Sequence, residues 1–326
     1  MSDHDSAYPL SPELSEALRA ALGAVERRAL PLSDGRALRY EALGPKGAPV
    51  VVLANGLGGR LYTWLPVVEA LAAGARVLTW DYRGLFDSEG ALDASSPQDL
   101  SVVTHAEDLA RVLDAEGEDA AHLIGWSMGV QVSLEFAARN PARALSLTLI
   151  NGTYGQVFST AFQPLARLPL PTWALHEVTE GLRRFEGVTR LGLRAAGGLV
   201  GAALGLRARL SAAASPVIAL AAEQYCRDLF TGEHLGAYLT LFQQLDAHSA
   251  YHLLPRIEAP TLVLSGGLDF LTPPYQSRQI ARRMPRAEHH MIALGTHFVI
   301  LERSREVLRL LRAHLEPLGV ELSAPA

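Results

Sequence analysis

Short apolar runs alternate with segments of helical periodicity along most of this chain of 326 residues. Segments 65–73, 105–115 and 128–139 are among those that carry apolar residues at helical spacing. The runs between the helical segments are apolar on both faces, as strands inside a parallel sheet are. The alternation predicts an α/β protein with a mostly parallel, doubly wound sheet. The predicted parallel strands are 50–54, 76–80, 122–124, 145–150, 261–265 and 290–294.

The N-terminal part of the chain has a different pattern. Residues 12–24 are predicted to form a short amphipathic helix that begins at Pro12. Two extended runs follow at 25–32 and 37–43, with Ser33-Asp34-Gly35 between them. Because an Asp-Gly pair between two such runs is a strong hairpin signal, we expect an N-terminal antiparallel hairpin.

The alternation is interrupted between residues 154 and 250. No strand-like run occurs there, and Gly, Pro and Arg separate helical pieces that are rich in Ala and Leu. We interpret this segment as a helical insertion on the sheet. The predicted organisation is therefore an α/β core of residues 1–153 and 251–326, with a helical cap, or lid, of residues 154–250.

The strongest local motif is the pentapeptide Gly125-Trp126-Ser127-Met128-Gly129. It has the pattern G-x-S-x-G, follows a predicted strand and opens a predicted helix, which is the context this motif requires. A serine in such a tight, strained turn projects its hydroxyl from the carboxyl end of the sheet, and the flanking glycines let neighbouring backbone approach. The motif predicts that Ser127 is a nucleophile.

A serine hydroxyl needs a base, and the base needs an orienting acid. Asp269 follows the predicted strand 261–265, and His297 follows the run that ends at Leu294. Taken alone, Asp269 would also fit a helix N-cap before Pro273, and His297 would fit an ordinary loop histidine. Their joint occurrence in the chain order Ser, Asp, His favours a catalytic triad.

An oxyanion hole requires two backbone N–H groups aimed at the developing negative charge. One is expected from Met128, the residue after the nucleophile. The other is expected from Leu57, in the glycine-rich loop Asn55-Gly56-Leu57-Gly58-Gly59 that follows the strand 50–54. A phosphate-binding loop is the rival interpretation, but neither G-x-G-x-x-G nor G-x-x-x-x-G-K-[ST] is present.

With these motifs the chain resembles the α/β-hydrolases that carry a helical cap. The resemblance covers residues 26–152 and 252–315 and includes Asp81-Tyr82-Arg83-Gly84, 260–269 and 295–297. It implies the α/β-hydrolase fold, and the Gly-Trp-Ser-Met-Gly pentapeptide resembles that of carboxylesterase-type members. Asp81 and Arg83 are expected to fix the loop after their strand.

Three positions separate this chain from parts of that superfamily. Many relatives open the oxyanion loop with His-Gly, whereas this chain has Asn55-Gly56. Haloalkane dehalogenases and epoxide hydrolases of this fold have Asp at the nucleophile position, where this chain has Ser127. Asn151 follows the strand 145–150 and is not a carboxylate, so it cannot be the alternative acid that some relatives use.

The resemblance implies a serine hydrolase that cleaves a carboxylic ester through an acyl-enzyme. Perhydrolase or haloperoxidase-like chemistry, thioesters, lactones, amides and C–C bond cleavage use the same machinery and remain open, as does a non-catalytic ligand receptor. A small apolar acyl substrate is expected, and no cofactor or metal, because His248 and His252 lack the glutamate of a metalloprotease motif. The candidate substrate contacts are Trp126, Phe270, Phe298, Tyr154 and Phe158.

Composition limits the remaining function classes. The formal net charge is −5 and no long basic run occurs, which argues against a nucleic acid partner. Residues 191–222 are rich in Ala, Leu and Gly, but several arginines interrupt them, so no membrane span is expected. Because Cys226 is the only cysteine and residues 1–11 are polar, we expect a cytoplasmic protein without disulfides or a signal peptide.

Overall fold

One sheet of eight strands runs through the part of the protein that the structure describes. The computed structural model describes residues 10–23, 25–33, 35–91, 97–157, 177–178, 180–182, 184–185, 187–189, 191–192, 216–230 and 233–323. The strands are β1 (Glu26–Pro31), β2 (Ala37–Leu43), β3 (Val50–Ala54), β4 (Arg76–Trp80), β5 (Ala121–Trp126), β6 (Ala144–Ile150), β7 (Thr261–Gly266) and β8 (Ala287–Ile292).

The order of the strands confirms the predicted fold class. In space they are ordered β1-β2-β4-β3-β5-β6-β7-β8. The β1–β2 hairpin is antiparallel, and β2 also pairs antiparallel with β4, whereas every pair from β4 to β8 is parallel. The carboxyl ends of β3 to β8 therefore meet along one edge of the sheet, where ligands bind in open α/β folds.

Helices cover both faces of this sheet. They are α1 (Pro12–Leu22), α2 (Leu65–Leu71), α3 (Val102–Glu116), α4 (Met128–Arg139), α5 (Pro216–Phe230), α6 (Leu235–Ala247), α7 (Pro274–Arg283), α8 (Val299–Glu302) and α9 (Ser304–Leu315). Short 3₁₀ turns occupy Leu61–Trp64, Phe86–Ala91, Pro97–Leu100, Pro141–Arg143, Leu254–Arg256 and Glu316–Leu318. Most described positions between 177 and 192 are also helical.

Alternate residues of a central strand fill the two hydrophobic layers. Val52 of β3 is fully buried in the cluster that contains Leu109 of α3. Its neighbour Val51 is fully buried in a second cluster, which contains Leu311 of α9. Successive side chains of a strand point to opposite faces, so burial on both faces requires an unbroken apolar run. This is why the apolar runs predicted β3 to β7 within one or two residues.

The last strand is the one that the sequence located incorrectly. The run 290–294 predicted it, but β8 spans Ala287–Ile292 and pairs only with β7. As an edge strand it does not need an apolar sequence: Met291 is 50% exposed, and Leu294 lies beyond the strand at 61% exposure. The chain turns after Ile292, where the Gly295 N–H donates to its carbonyl at 3.0 Å.

The segment between β6 and β7 leaves and rejoins the sheet at one point. Gly155 and Ser249 form an isolated antiparallel bridge, and the Ala250 N–H donates to the Tyr154 carbonyl at 2.8 Å. Helices α5 and α6 lie within this segment, while Phe158 lies outside the described residues. The division into a core and a cap at 154–250 stays a prediction, which the bridge supports. Among the described helices none combines the length and the apolar character needed to cross a membrane.

Candidate active site

Ser127 occupies a strained turn between β5 and α4. Its φ of 55° and ψ of −113° lie in a region that L-residues with side chains rarely adopt. The turn is held by close packing, because a Cβ at Gly129 would lie only 1.9 Å from the Ala54 carbonyl oxygen. A Cβ at Gly125 would likewise lie 2.4 Å from the Gly129 carbonyl oxygen. The glycines of the pentapeptide therefore permit the start of α4 to contact β3, which fixes Ser127 at the edge of the sheet.

Ser127, His297 and Asp269 form a continuous hydrogen-bonded chain. The Ser127 Oγ lies 2.9 Å from His297 Nε2, and His297 Nδ1 lies 2.9 Å from Asp269 Oδ2. Asp269 is 2% exposed and His297 7%, whereas Ser127 is half-buried. With a proton on Nδ1 facing the carboxylate, Nε2 is left as an acceptor for the serine hydroxyl. The structure thus brings together the three residues that the sequence singled out.

The loop after β7 surrounds the Asp269 carboxylate with donors. Its Oδ1 accepts the backbone N–H groups of Leu271 and Thr272, each at 2.9 Å. The Thr272 hydroxyl lies 2.7 Å from Oδ2 and 2.7 Å from the Asn151 carbonyl oxygen. A buried carboxylate needs several hydrogen bonds, and these fix its orientation toward His297.

Three side chains hold the loop that carries His297. The Trp126 Nε1–H donates to the His297 carbonyl at 3.0 Å, so the residue before Ser127 also anchors the histidine. The Asn151 Nδ2 donates to the Thr296 carbonyl at 2.7 Å. The Glu302 Oε2 accepts the Thr296 N–H at 3.1 Å and the Thr296 hydroxyl at 2.8 Å. The backbone on both sides of His297 is therefore fixed.

Asn151 connects the Asp269 loop to the His297 loop. It has a φ of 47°, and its N–H donates to the Leu264 carbonyl at 2.9 Å. Its Oδ1 accepts the Gly266 N–H at 2.7 Å, while its Nδ2 binds the Thr296 carbonyl. The sequence drew attention to Asn151 only because it is not a carboxylate. An asparagine after a buried strand, a type that tolerates positive φ, is a weak signal for this role.

Asn55 anchors the start of the oxyanion loop, residues 55–59. It is 1% exposed, and its Nδ2 donates to the Trp80 carbonyl at 2.7 Å. Its Oδ1 accepts the Trp64 Nε1–H at 2.7 Å, and its carbonyl accepts the Tyr82 hydroxyl at 2.7 Å. Where many relatives have a histidine, this chain has an amide whose Nδ2 and Oδ1 both have hydrogen-bond partners. Asn55 therefore fixes the base of the loop.

The expected oxyanion donors lie on adjacent segments. Ala54 is paired with Gly125 in the β3–β5 register, so the two loops that follow these strands are neighbours. A Cβ at Gly56 would lie 2.7 Å from the Trp126 ring, which shows how closely the oxyanion loop approaches the Ser127 turn. Met128 is the first residue of α4, and the first N–H groups of a helix have no intrahelical acceptor.

Two of the candidate substrate contacts lie against the histidine. Trp126 is 2% exposed, and its ring centroid is 5.7 Å from that of His297. Because Trp126 is buried and donates to the His297 carbonyl, it supports the histidine loop. Phe298 is half-buried, with its ring centroid 5.8 Å from His297.

The remaining candidates are Phe270, Tyr154 and Phe158. Phe270 follows Asp269 in the chain and is 44% exposed. Tyr154 is half-buried and packs against Tyr251, with ring centroids 4.9 Å apart, at the point where the insertion leaves the sheet. Phe158 is not among the described residues.

Asp81 and Arg83 make the loop contacts that their motif predicts. The Asp81 Oδ2 accepts the Asp87 N–H at 3.3 Å, and its Oδ1 lies 3.6 Å from Arg60 Nε. Burial raises the pKa of Asp81 to about 7, although the Arg60 charge opposes that rise. Arg83 forms a paired interaction with Asp108 through Nε at 2.8 Å and Nη2 at 2.7 Å.

His248 lies where the insertion returns to the core. Its Nε2 is 3.3 Å from the Glu135 Oε2. Interaction with His248 lowers the pKa of Glu135, and Arg139 acts in the same direction. Within the described ranges, no group of three His, Cys, Asp or Glu side chains is arranged to hold a metal ion.

The chain matches a family model described as the alpha/beta hydrolase fold over residues 49–304. The match covers most of the chain and includes the Ser127 turn and the loops of Asp269 and His297. This protein therefore belongs to the α/β-hydrolase family.

Named relatives agree with this assignment. A protein of Stutzerimonas stutzeri (strain A1501) named carbamate hydrolase RutD is 29% identical over 284 residues, which cover 85% of this chain and 96% of that protein. Its namesake from Variovorax paradoxus (strain S110) is 40% identical over 115 residues, but the match spans only 42% of that relative.

Solved structures share the fold. A hydrolase from Pseudomonas aeruginosa PA01 superimposes with a TM-score of 0.67 at 25% identity, covering 89% of this chain and 98% of that one. An enol-lactonase from Burkholderia xenovorans LB400 has a TM-score of 0.61 at 22% identity, covering 89% and 100% of the two chains.

Replacing Asn151 by alanine is expected to destabilise the protein by about 2–4 kcal/mol, because the Gly266 N–H and the Thr296 carbonyl would lose their partners. Chemical denaturation of the variant measures this loss. Asn140→Ala is the matched control: its Nδ2 donates to the Phe136 carbonyl from a partly exposed position. That variant should lose about 1 kcal/mol or less. Equal losses in the two variants would contradict the role of Asn151 as the connection between the Asp269 loop and the His297 loop.

Proposed function

We propose that this protein is a serine hydrolase that cleaves a carboxylic ester or a closely related acyl bond. The observation that supports it most is the chain of two 2.9 Å contacts from Ser127 Oγ through His297 to Asp269. The serine that begins this chain lies in a strained, half-buried turn at the carboxyl edge of the sheet. Together these features match a serine activated by an oriented general base.

In the proposed acylation, the Ser127 Oγ attacks the acyl carbon while His297 Nε2 removes the hydroxyl proton. The carbonyl π bond breaks, and its oxygen becomes the oxyanion of a tetrahedral intermediate. The intermediate collapses as His297 returns the proton to the leaving alkoxide, which departs as an alcohol and leaves an acyl-Ser127 ester. Asp269 holds the imidazole in the required tautomer and stabilises its transient positive charge.

Deacylation repeats these steps with water as the nucleophile. His297 removes a proton from water, hydroxide adds to the acyl carbon, and the proton passes to Ser127 Oγ as the carboxylic acid is released. In both halves of the reaction, the N–H groups of Leu57 and Met128 are the proposed donors to the oxyanion. Removal of one such donor typically costs about 10²–10³ in kcat.

We also propose that residues 154–250 form a cap over the carboxyl edge of the sheet. The bridge between Gly155 and Ser249 supports an insertion that begins and ends at one point. A contact from helix α5 supports its position over the site, because the Tyr225 hydroxyl reaches the Leu57 carbonyl. Apolar side chains beside the histidine and the acid, Phe298 and Phe270, favour a small apolar acyl group.

A carbamate is the second candidate substrate class. Its carbonyl carbon is attacked in the same way. That carbon is bonded to a nitrogen, where the carbonyl carbon of an ester's acyl group is bonded to a carbon. The relative from Stutzerimonas stutzeri supports this class, because its name is carbamate hydrolase and the alignment covers 96% of its length. Thioesters and lactones would use the same residues. A receptor that binds but does not cleave its ligand is the alternative from another functional class.

A fluorophosphonate probe is expected to label the protein at Ser127, because only a serine with an adjacent base is activated. Ser127→Ala should abolish labelling. Ser133→Ala is the control, since Ser133 lies buried on the following helix α4 and should not affect labelling. Mass spectrometry of the labelled peptide identifies the site. Labelling that persists in Ser127→Ala would contradict the assignment of the nucleophile.

Asp269→Asn is expected to preserve the fold but to lower kcat on the order of 10⁴-fold, because the amide favours the wrong imidazole tautomer. Thr272→Val serves as the control: it removes a hydroxyl next to Asp269 and keeps the carboxylate, so its loss should be far smaller. Steady-state kinetics and circular dichroism of both variants provide the test. A loss below about tenfold in Asp269→Asn would show that another acid orients His297.

The proposed ester specificity predicts higher kcat/KM for p-nitrophenyl butyrate than for a p-nitrophenyl carbamate of equal chain length. A leaving group common to both substrates ensures that the comparison reports the acyl side. The expected order also places butyrate above acetate, since each additional buried methylene contributes about 0.8 kcal/mol of binding. A preference for the carbamate would replace the ester by the second candidate, and turnover of neither would favour the receptor.

A further inference from the structure

A tyrosine of the insertion contacts the oxyanion loop directly. Tyr225, on helix α5, donates its hydroxyl hydrogen to the Leu57 carbonyl at 2.8 Å. The side chain is 6% exposed, and burial raises its pKa above the ordinary tyrosine value, which keeps the hydroxyl protonated as a donor. Leu57 is the residue whose N–H is a proposed oxyanion donor.

The ring of Tyr225 also packs against the segments that carry the nucleophile and the base. Its centroid is 5.6 Å from that of Trp126, the residue before Ser127. It is 5.5 Å from Phe298, the residue after His297, in an edge-to-face arrangement. One side chain therefore contacts the oxyanion loop, the nucleophile turn and the histidine loop.

The middle of the oxyanion loop needs such an anchor. Asn55 fixes the first residue of the loop, and the Gly59 N–H closes a turn onto the Gly56 carbonyl at 2.8 Å. Glycines at three of its five positions leave the backbone around Leu57 weakly restricted, and Gly58 has a φ of 73°. The bond from Tyr225 fixes the peptide plane that joins Leu57 to Gly58. This plane shares the Leu57 Cα with the preceding plane, which carries the Leu57 N–H, so the bond restrains the rotation of one plane against the other.

We propose that Tyr225 is a positioning residue that holds the Leu57 N–H in the direction of the oxyanion, so that the insertion completes the active site of the core. This role rests on the proposed function, since it requires an oxyanion at that point. An oxyanion donor acts only when it is aimed before the reaction begins, and a small displacement weakens it strongly. Substrate binding in the ground state depends much less on this alignment.

The chain offers a matched control for this role. The Tyr62 hydroxyl donates to the Asp228 Oδ2 at 2.7 Å, and Asp228 lies three residues after Tyr225 on the same helix. Tyr62 is 1% exposed and belongs to the core side of the contact. Tyr62→Phe therefore removes one buried tyrosine hydroxyl that connects α5 to the core, without removing a bond to the oxyanion loop.

The test compares Tyr225→Phe with Tyr62→Phe. Each variant keeps its aromatic ring and loses one hydroxyl. For each protein, kcat and KM are measured with a p-nitrophenyl ester, the inhibition constant with a phenylboronic acid, and the thermal midpoint by calorimetry. A boronic acid forms a tetrahedral, negatively charged adduct with serine, so its affinity reports the oxyanion donors separately from the binding of substrate.

We expect Tyr225→Phe to lower kcat about tenfold, to weaken boronic acid inhibition in parallel and to leave KM within about twofold. Tyr62→Phe should keep kcat and boronic acid affinity within about twofold of the wild type, although its thermal midpoint falls. Wild-type values of kcat and boronic acid affinity in Tyr225→Phe would overturn the proposal. So would equal catalytic losses in the two variants, because the docking of α5 alone would then explain the effect.

Failure of the proposed function gives a different result. In that case the wild-type protein would neither react with a fluorophosphonate nor bind the boronic acid, and the role of Tyr225 would be rejected with it. If the wild type reacts at Ser127 while Tyr225→Phe matches it in every measurement, only the positioning role is rejected.

Discussion

The close contact between the start of α4 and the end of β3 is the constraint on which the site depends. Gly129 approaches the Ala54 carbonyl so closely that no side chain fits between them. This contact holds the positive φ of Ser127 against its intrinsic cost, which is of order 1–3 kcal/mol for a residue with a Cβ. Since β3 and β5 are neighbours, the same contact sets the Ser127 turn beside the oxyanion loop.

The loops of Asp269 and His297 depend on a second kind of constraint, a set of buried hydrogen bonds. Asn151 binds the end of β7 through Gly266 and the histidine loop through Thr296. A hydrogen bond has directional preferences that apolar packing lacks, so these contacts fix angles as well as distances. Two loops on neighbouring strands thereby keep the 2.9 Å contact between Asp269 and His297.

These two constraints explain what the sequence could predict. The buried strands and the Ser127 turn depend on local patterns: apolar runs, glycine spacing and the order of neighbouring segments. The predicted position of β8 was wrong because an edge strand is half-exposed and its apolar residues do not mark its bounds. The roles of Asn151 and Tyr225 were missed because their partners lie 145 and 168 residues away in the chain. No pattern along the sequence records which polar groups meet across such distances.

Polar contacts add to apolar packing in setting the register of α5 on the core. The Asp228 carboxylate accepts from Tyr62 on the core and from Gln224 one turn earlier on its own helix, both at 2.7 Å. Burial raises the pKa of Asp228, so sliding α5 away from these donors would leave a buried carboxyl group with fewer partners. An apolar interface would tolerate small rotations of the helix, whereas this one favours a single rotation. Because Tyr225 lies three residues before Asp228, the same rotation brings its hydroxyl to the Leu57 carbonyl. The Tyr225 hydroxyl, and not the Tyr62–Asp228 bond, contacts the oxyanion loop.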